Sequence, residues 1–176
     1  MINIDYFSKV GGIFALLTFW HFFADWMFQS HTEAMTKTSD RLVRAWHCFK
    51  YALYYVPLFI LLTKSGVMFV IVLYITYMSH YIIDSYVPVM LWAKYCRKSP
   101  HFNKVDADKS IPLPMWSDKV VDHVTYKTDR EAFLAFMATP IGLILVIVMD
   151  QFFHIAFMLL NAFLLVNRLY LQYNHT

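Results

Sequence analysis

Four apolar stretches of the sequence are each long enough to cross a lipid bilayer, and they constrain the fold more than any other feature. A helix needs about 20 apolar residues to span the ~30 Å hydrocarbon layer. The four stretches are residues 10–29, 46–63, 67–92 and 141–166. Hydrophobic residues make up 59% of the 176 residues and charged residues only 15%, whereas soluble domains have roughly half and a quarter. The sequence therefore predicts an all-α polytopic membrane protein, a four-span helical bundle in a single transmembrane domain over residues 1–176.

The segments between the spans add two features to this bundle. Residues 93–130 form a polar loop that is rich in aspartate and proline. From Glu131 to Tyr170 the chain is apolar for 40 residues, which is too long for one crossing at about 1.5 Å per residue. Because Pro140 divides this run, we expect an interfacial helix over 131–139 before the fourth span. Two short spans around Asp150 are the alternative, which the lack of turn residues there disfavours.

The distribution of Lys and Arg predicts how the bundle is oriented. Three basic residues lie in the 30–45 loop and eight in the 93–130 loop, whereas Lys9, Lys64 and Arg168 lie at the other side. The loops thus hold eleven basic residues and the other side three, which places both loops in the cytoplasm and both termini outside. The net charge of +3 indicates no nucleic-acid partner. Cys48 and Cys96 have no disulfide or zinc-ribbon spacing.

Ionisable residues inside the apolar spans are the candidate functional residues. Three spans carry a His and an Asp four residues apart, which places both side chains on one helical face. The second span carries a single His near its start. In an up-and-down bundle all of these groups fall in the cytoplasmic half of the membrane. The predicted metal ligands are His21, Asp25, His47, His80, Asp84, Asp150 and His154.

A divalent cation explains why these groups are tolerated. One ionised carboxylate at mid-membrane costs about 2.5–3.5 kcal/mol on insertion scales, and a cation removes that penalty by taking carboxylates and imidazoles as ligands. Four histidines and three aspartates exceed one tetrahedral zinc site but suit two metals sharing carboxylates. We therefore expect one or two ions of zinc, manganese or iron. Gln29 and Gln151, with Lys50, are predicted to orient water or substrate oxygen in catalysis.

Two other interpretations of the same residues stay open. The His and Asp side chains could form a purely structural hydrogen-bond network, or a proton or ion pathway. The aromatic stripes YALYYVP and LYITYMSHY are interpreted as packing and interface belts. Cys48 is left out of the ligand set because adjacent helical positions face about 100° apart.

The polar motifs also resemble those of a known family. HFFADWMFQ, RAWHCFKYAL, SHYIIDSY and MDQFFHI occur in this order along the chain. They resemble small bacterial and bacteriophage membrane proteins labelled domain of unknown function 3307, whose spans carry HxxxDxxxQ, a lone His, HxxxD and DQxxH. The resemblance covers the four spans but not the 93–130 loop, and it implies a topology and a site rather than a reaction. It implies the site residues His21, Asp25, Gln29, His47, His80, Asp84, Asp150, Gln151 and His154.

The function that we predict is a membrane-embedded, metal-dependent hydrolase. By analogy alone, the layout is also similar to membrane-bound metal-dependent hydrolases of the inducible inner-membrane type. A site in the cytoplasmic leaflet would meet a lipid or a lipid-linked ester. A metal-ion or proton transporter is the alternative, although the apolar outer halves of the spans disfavour it. A third interpretation is a non-catalytic effector that binds a membrane-protein partner or forms a homo-oligomer.

Overall fold

The structure of the chain is a computed structural model that describes residues 4–63, 65–103 and 128–173. These residues form helices joined by short turns and contain no strand, in agreement with the all-α fold class. The elements are α1 (Ile4–Trp26), α2 (His31–Thr36), α3 (Arg41–Leu62), α4 (Gly66–Ile83), α5 (Val87–Leu91), a π-helical turn (Trp92–Cys96), α6 (Pro100–Asn103), α7 (Asp129–Met137) and α8 (Pro140–Tyr173). Most of the predicted 93–130 loop, residues 104–127, lies outside the described residues.

Four helices are long and apolar enough to cross a membrane. They are α1, α3, α4 and the Pro140–Arg168 part of α8. Large apolar side chains on them are exposed, among them Phe19, Leu61 and Val67, which suits contact with lipid. The chain is an integral membrane protein with four candidate spans.

The internal contacts divide the chain into two units. The first comprises residues 1–85 and 152–176, and the second residues 86–151. In the first unit, apolar side chains of α1, α3, α4 and α8 form one core. Its most buried members include Leu17, Tyr55, Phe59, Val72 and Met158. This core lies along the spans and holds their polar faces toward one another.

The connection between α1 and α3 contains a short helix, α2, where the sequence predicted only a polar loop. The first span ends at Trp26 instead of residue 29, and α3 begins at Arg41 instead of residue 46. Ser30 and Glu33 form a capping box that begins α2. Asp40 then caps α3 by accepting from the backbone N–H groups of Leu42 and Val43. Such caps satisfy N–H groups that have no intrahelical partner, and they fix where a helix starts.

The third span is shorter than predicted, because α4 ends at Ile83 rather than at residue 92. The reason is Pro88. A proline inside a helix clashes with the carbonyl four residues earlier, which here belongs to Asp84. The chain instead turns through Tyr86, whose φ of 59° is left-handed, and restarts as α5 with Pro88 in its first turn.

The second unit contains a sharp corner between two helices, which lies directly before Pro140. The helix predicted over 131–139 is α7, Asp129–Met137, and the fourth span is the longer α8. Thr139 caps α8, since its hydroxyl accepts from the backbone N–H of Gly142 at 3.0 Å and donates to the carbonyl of Phe136 at 2.8 Å. A Cβ at position 142 would lie 1.8 Å from that carbonyl oxygen, so the corner requires glycine there.

Candidate metal centre

Four buried side chains from three helices bring their ligand atoms together in the first unit. His47 Nε2 lies 3.1 Å from Asp25 Oδ1 and 3.4 Å from Asp84 Oδ2. His80 Nε2 lies 3.6 Å from Asp25 Oδ1 and 3.3 Å from Asp84 Oδ2. The two Nε2 atoms are 3.0 Å apart. Each of the four residues is at most 4% exposed.

Three of these side chains have separations that suit the coordination shell of one metal ion. An ion with tetrahedral bonds of about 2.0–2.1 Å holds its ligand atoms roughly 3.3–3.4 Å apart. Asp25 Oδ1, His47 Nε2 and His80 Nε2 are 3.0 to 3.6 Å from one another, whereas Asp84 belongs with His80 and Cys48 to a second possible ligand group. Imidazoles and carboxylates form a mixed N/O set that suits zinc, manganese or iron. Asp25, His47, His80 and Asp84 are hereafter called the four-ligand cluster.

Two further histidines adjoin the cluster. His154 Nε2 lies 3.7 Å from Oδ1 of Asp84, whose other oxygen, Oδ2, contacts His47 and His80. The His154 ring stacks on the His21 ring with centroids 4.9 Å apart, and its centroid is 4.6 Å from that of His80. Six of the seven predicted metal-ligand positions are thus gathered in the first unit.

Lys37 also reaches the cluster, although the sequence analysis used it only to orient the loop. Its Nζ lies 3.0 Å from Asp84 Oδ2, 3.6 Å from Asp25 Oδ1 and 3.4 Å from His47 Nε2. The residue is 8% exposed. Its ammonium group faces three of the four ligand atoms, so Lys37 and a metal ion would compete for the same negative charge.

The segment that carries Lys37 is tied to α3 at two points. Lys50 forms an ion pair with Glu33 of α2. Arg44 donates to the backbone carbonyls of Lys37 and Thr38, and its guanidinium lies over the Tyr81 ring. Burial raises the pKa of Glu33, but the hydrogen bond and charge of Lys50 outweigh it and hold that pKa below its ordinary 4.5. These ties fix the segment beside the four-ligand cluster.

Tyr51 contacts two of the histidines, and the sequence analysis had assigned it only to packing. Its ring lies flat on the His80 ring, 3.7 Å between centroids and 8° between planes. Its hydroxyl oxygen is 2.8 Å from His21 Nδ1. The hydroxyl of Tyr51 donates to Tyr55, whose own hydroxyl donates to the carbonyl of Leu17. Tyr51 therefore orients both rings.

Three predicted site residues have no distance to the cluster in the described contacts. Asp150 and Gln151 belong to the second unit, where the Gln151 side-chain amide donates to the Asp150 carboxylate at 3.1 Å. Gln29 is half-buried and directly precedes the cap of α2. The roles predicted for them stay predictions.

The sequence carried some signal for the residues that were missed. Tyr51 is four positions after His47, the same spacing that paired each His with its Asp. The spacing Ser30-x-x-Glu33 is typical of a capping box, so α2 was predictable. The exclusion of Cys48 on angular grounds was too strict, because its Sγ, a His80 nitrogen and an Asp84 oxygen all lie within 4.8 Å of one another. The position of Lys37 depends on the path of the loop and had no comparable signal.

Comparison with known proteins identifies the family of this chain. Residues 13–175 match the family described as Protein of unknown function (DUF3307). No match was found among curated proteins or among solved structures. Since the match runs from within α1 to the end of α8 and includes the six gathered His and Asp residues, the chain belongs to the DUF3307 family.

Proposed function

We propose that this protein is a membrane-embedded, metal-dependent hydrolase that acts on a lipid or a lipid-linked ester. The observation that carries the proposal is the convergence of Asp25 Oδ1, His47 Nε2 and His80 Nε2 at separations that suit a single coordination shell, with Asp84 Oδ2 beside both imidazoles. A divalent cation at this position offsets two buried carboxylates that would otherwise have one ammonium group between them.

The donor set suits hydrolysis. Zinc, manganese and iron act as Lewis acids on carbonyl or phosphoryl oxygens, and they lower the pKa of bound water toward neutrality. Asp25, His47 and His80 would supply three protein ligands, which would leave the fourth tetrahedral position for water, as in catalytic zinc sites. Tyr51 stacks on His80 and would hold that ligand in place.

The surroundings of the cluster favour an anionic lipid as the substrate. Lys37 faces the cluster, and Lys50, Arg41 and Arg44 lie in the same part of the chain. Cationic side chains beside a membrane surface attract phosphate-bearing headgroups. We place these residues at the cytoplasmic face of an inner membrane, in keeping with the Lys and Arg counts of the two loops. The substrate would then enter from the cytoplasmic leaflet.

The test is metal analysis combined with a lipid hydrolysis assay. The protein is purified in mild detergent without chelators, and its metal content is measured by elemental analysis. Release of fatty acid or headgroup from phosphatidylglycerol in mixed micelles is then followed with added zinc or manganese. Asp25→Asn is expected to lose bound metal and turnover. Asp5→Asn is the matched control on the same helix, because Asp5 is exposed and pairs with Lys9, and it should retain both.

The outcomes separate the alternatives. Bound metal together with turnover that Asp25→Asn abolishes supports the proposal. Bound metal without turnover on ester lipids overturns the hydrolase and favours transport or an effector role. Wild-type protein that binds no added metal overturns the metal centre itself and leaves a structural hydrogen-bond network.

A further inference from the structure

We propose that Cys48, His80 and Asp84 form a thiolate-containing site for a thiophilic divalent cation. Cys48 Sγ, one ring nitrogen of His80 and one carboxylate oxygen of Asp84 all lie within 4.8 Å of one another. This inference goes beyond the proposed function. The site shares His80 with the Asp25–His47–His80 group, but its ion is selected by sulfur and need not support hydrolysis.

Two helices of the first unit bring these three side chains together. His80 and Asp84 lie four residues apart at the end of α4, which places them on one face of the helix, and His80 Nε2 is 3.3 Å from Asp84 Oδ2. Cys48 directly follows His47 on α3, and their exposed fractions are 0% and 2%. Adjacent helical positions point about 100° apart, so α3 presents His47 and Cys48 to different sides of the same buried polar region.

The surroundings of Cys48 differ from those of a packing cysteine. A buried cysteine usually behaves as a small apolar side chain, whereas this sulfur lies beside an imidazole and a carboxylate that are each 1% exposed. Among the described residues, no hydrogen bond reaches Asp84 Oδ2 or His80 Nδ1, although both atoms are buried. Lys37 Nζ faces Asp84 Oδ2 as an ion-pair partner at 3.0 Å. Buried polar atoms without a hydrogen bond are unusual in proteins, and a bound ion is one of the partners that explain them.

The sulfur gives this ligand group a different metal preference. A tetrahedral ion with a metal–sulfur bond of about 2.3 Å and metal–nitrogen bonds of about 2.0–2.1 Å holds sulfur roughly 3.6 Å from its other ligand atoms. The three atoms can therefore close on such an ion with shifts of about 1 Å. Thiolates select the softer metals, whereas carboxylates suit manganese. The thiol of Cys48 loses its proton to solvent as the metal–sulfur bond forms.

The two ligand groups are alternatives for one ion, because both need His80. A neutral imidazole has one nitrogen lone pair, since its other ring nitrogen carries a proton. His80 therefore binds an ion either together with Asp25 and His47 or together with Cys48 and Asp84. A thiophilic ion is drawn to the sulfur of the second group, and manganese to the nitrogen and oxygen ligands of the first.

The experiment titrates Co²⁺ into full-length protein in detergent, after bound metal has been removed with a chelator and with a phosphine reductant present. Cobalt bound to a thiolate gives a sulfur-to-cobalt charge-transfer band in the near ultraviolet, which nitrogen and oxygen ligands do not give. Wild type is expected to show this band, and Cys48→Ser is expected to lose it. Cys96→Ser is the matched control and should keep the band, because Cys96 is exposed whereas Cys48 is buried. Cys48→Ser should still bind Mn²⁺ through Asp25, His47 and His80.

The results distinguish this inference from the proposed function. Cobalt that binds wild type without the band overturns the thiolate site and leaves the metal centre of the proposed function intact. Loss of the band in Cys96→Ser overturns the inference, because the sulfur ligand would then be the exposed cysteine. Loss of Mn²⁺ binding from folded Cys48→Ser protein also overturns it, because the sulfur would then belong to the same shell as Asp25 and His47.

Two remaining outcomes are also decisive. Wild type that binds no cobalt overturns the thiolate site, and Mn²⁺ binding then decides the proposed function separately. Far-UV circular dichroism identifies a variant that does not fold. If Cys48→Ser is such a variant, a band that Cys96→Ser retains still assigns the sulfur ligand to Cys48, because the chain has two cysteines.

Discussion

Replacing Lys37 by Met tests whether the buried charges belong to a metal centre or to a permanent ion-pair network. Lys37 is the cation that contacts both buried carboxylates, at 3.0 Å from Asp84 and 3.6 Å from Asp25. Met preserves much of the length and apolar volume of the side chain but removes the charge. In metal-free protein the variant leaves two carboxylates buried without that cation.

The expected size of the effect follows from this geometry. Removing one partner of a buried ion pair costs about 3–5 kcal/mol. For a chain of this length 1 kcal/mol shifts the melting temperature by about 2–4 °C, so we expect a fall of roughly 6–20 °C in the presence of a chelator. A metal ion at 1,000 times its Kd restores about 4.1 kcal/mol. The ion should stabilise wild type less than the variant, because in wild type the ion must first displace the Lys37 ammonium group from three shared ligand atoms.

The assay is thermal unfolding in detergent, followed by tryptophan fluorescence with chelator and then with saturating zinc or manganese. The predicted signature is a larger ion-dependent rise in melting temperature for Lys37→Met than for wild type. Lys9→Met is the control: its partner Asp5 and Lys9 itself are more than half exposed, and exposed pairs contribute less than about 1 kcal/mol. If the ion fails to raise the melting temperature of Lys37→Met, the metal-centre reasoning is refuted and the charges form a structural network.

Two further predictions concern helix α2 in the first unit and the α7–α8 corner in the second. The folded-state pKa of Glu33 lies below its ordinary 4.5, so the stability that its ion pair contributes is present above about pH 4.5 and is lost as the pH falls through the folded value. On acidification, Glu33→Gln should therefore lose less melting temperature than wild type. Equal losses in the two proteins would contradict this. Gly142→Ala should destabilise by about 1–3 kcal/mol, because its Cβ would meet the carbonyl oxygen of Phe136 at 1.8 Å. Gly12→Ala, with nothing within 4 Å of the added Cβ, should stabilise by about 0.5–1 kcal/mol. Chemical unfolding of both variants measures the two changes in the free energy of unfolding, which should have opposite signs.

Much of the fold was predictable because the solvent imposes it. A membrane span must pair its backbone groups within the protein, and a run of about 20 apolar residues does so as a helix, so composition and length alone indicated four spans. The helix ends were less predictable. Pro88 ends α4 nine residues before the apolar run ends, since its ring would clash with a carbonyl four positions back. Residues beyond the apolar run continue α1 at its N-terminus as far as Ile4, because helical hydrogen bonds do not depend on hydropathy.

The candidate site divides in the same way. The His and Asp pairs were recognisable because a four-residue spacing sets both groups on one face, and polar groups on that face have to meet partners within the bundle. The role of Lys37 was not recognisable from the sequence, because its approach to Asp84 depends on the α2 turn and on the hydrogen bond from Arg44 to the backbone carbonyl of Lys37. The role of the Tyr51 hydroxyl was not recognisable either, because an aromatic residue in a span is usually a packing residue. Its partner is decided by the relative rotation of α1 and α3.

The positions of the helix ends bear on how a membrane bundle could tolerate such a centre. Asp25 is the last residue but one of α1, Asp84 directly follows the last residue of α4, and His47 lies within two turns of the start of α3. The last carbonyls of a helix need partners outside it, and irregular backbone is tolerated only where protein or water supplies them. We therefore expect water to reach this level of the bundle more easily than the middle of the spans, which would lower the penalty on the buried carboxylates. The hydrogen bonds from His21 through Tyr51 and Tyr55 reach the carbonyl of Leu17 and the sulfur of Met158, within the apolar core that includes Phe59. Under the proposed function, a centre bounded on one side by this packed core would suit hydrolysis at one leaflet better than transport across both.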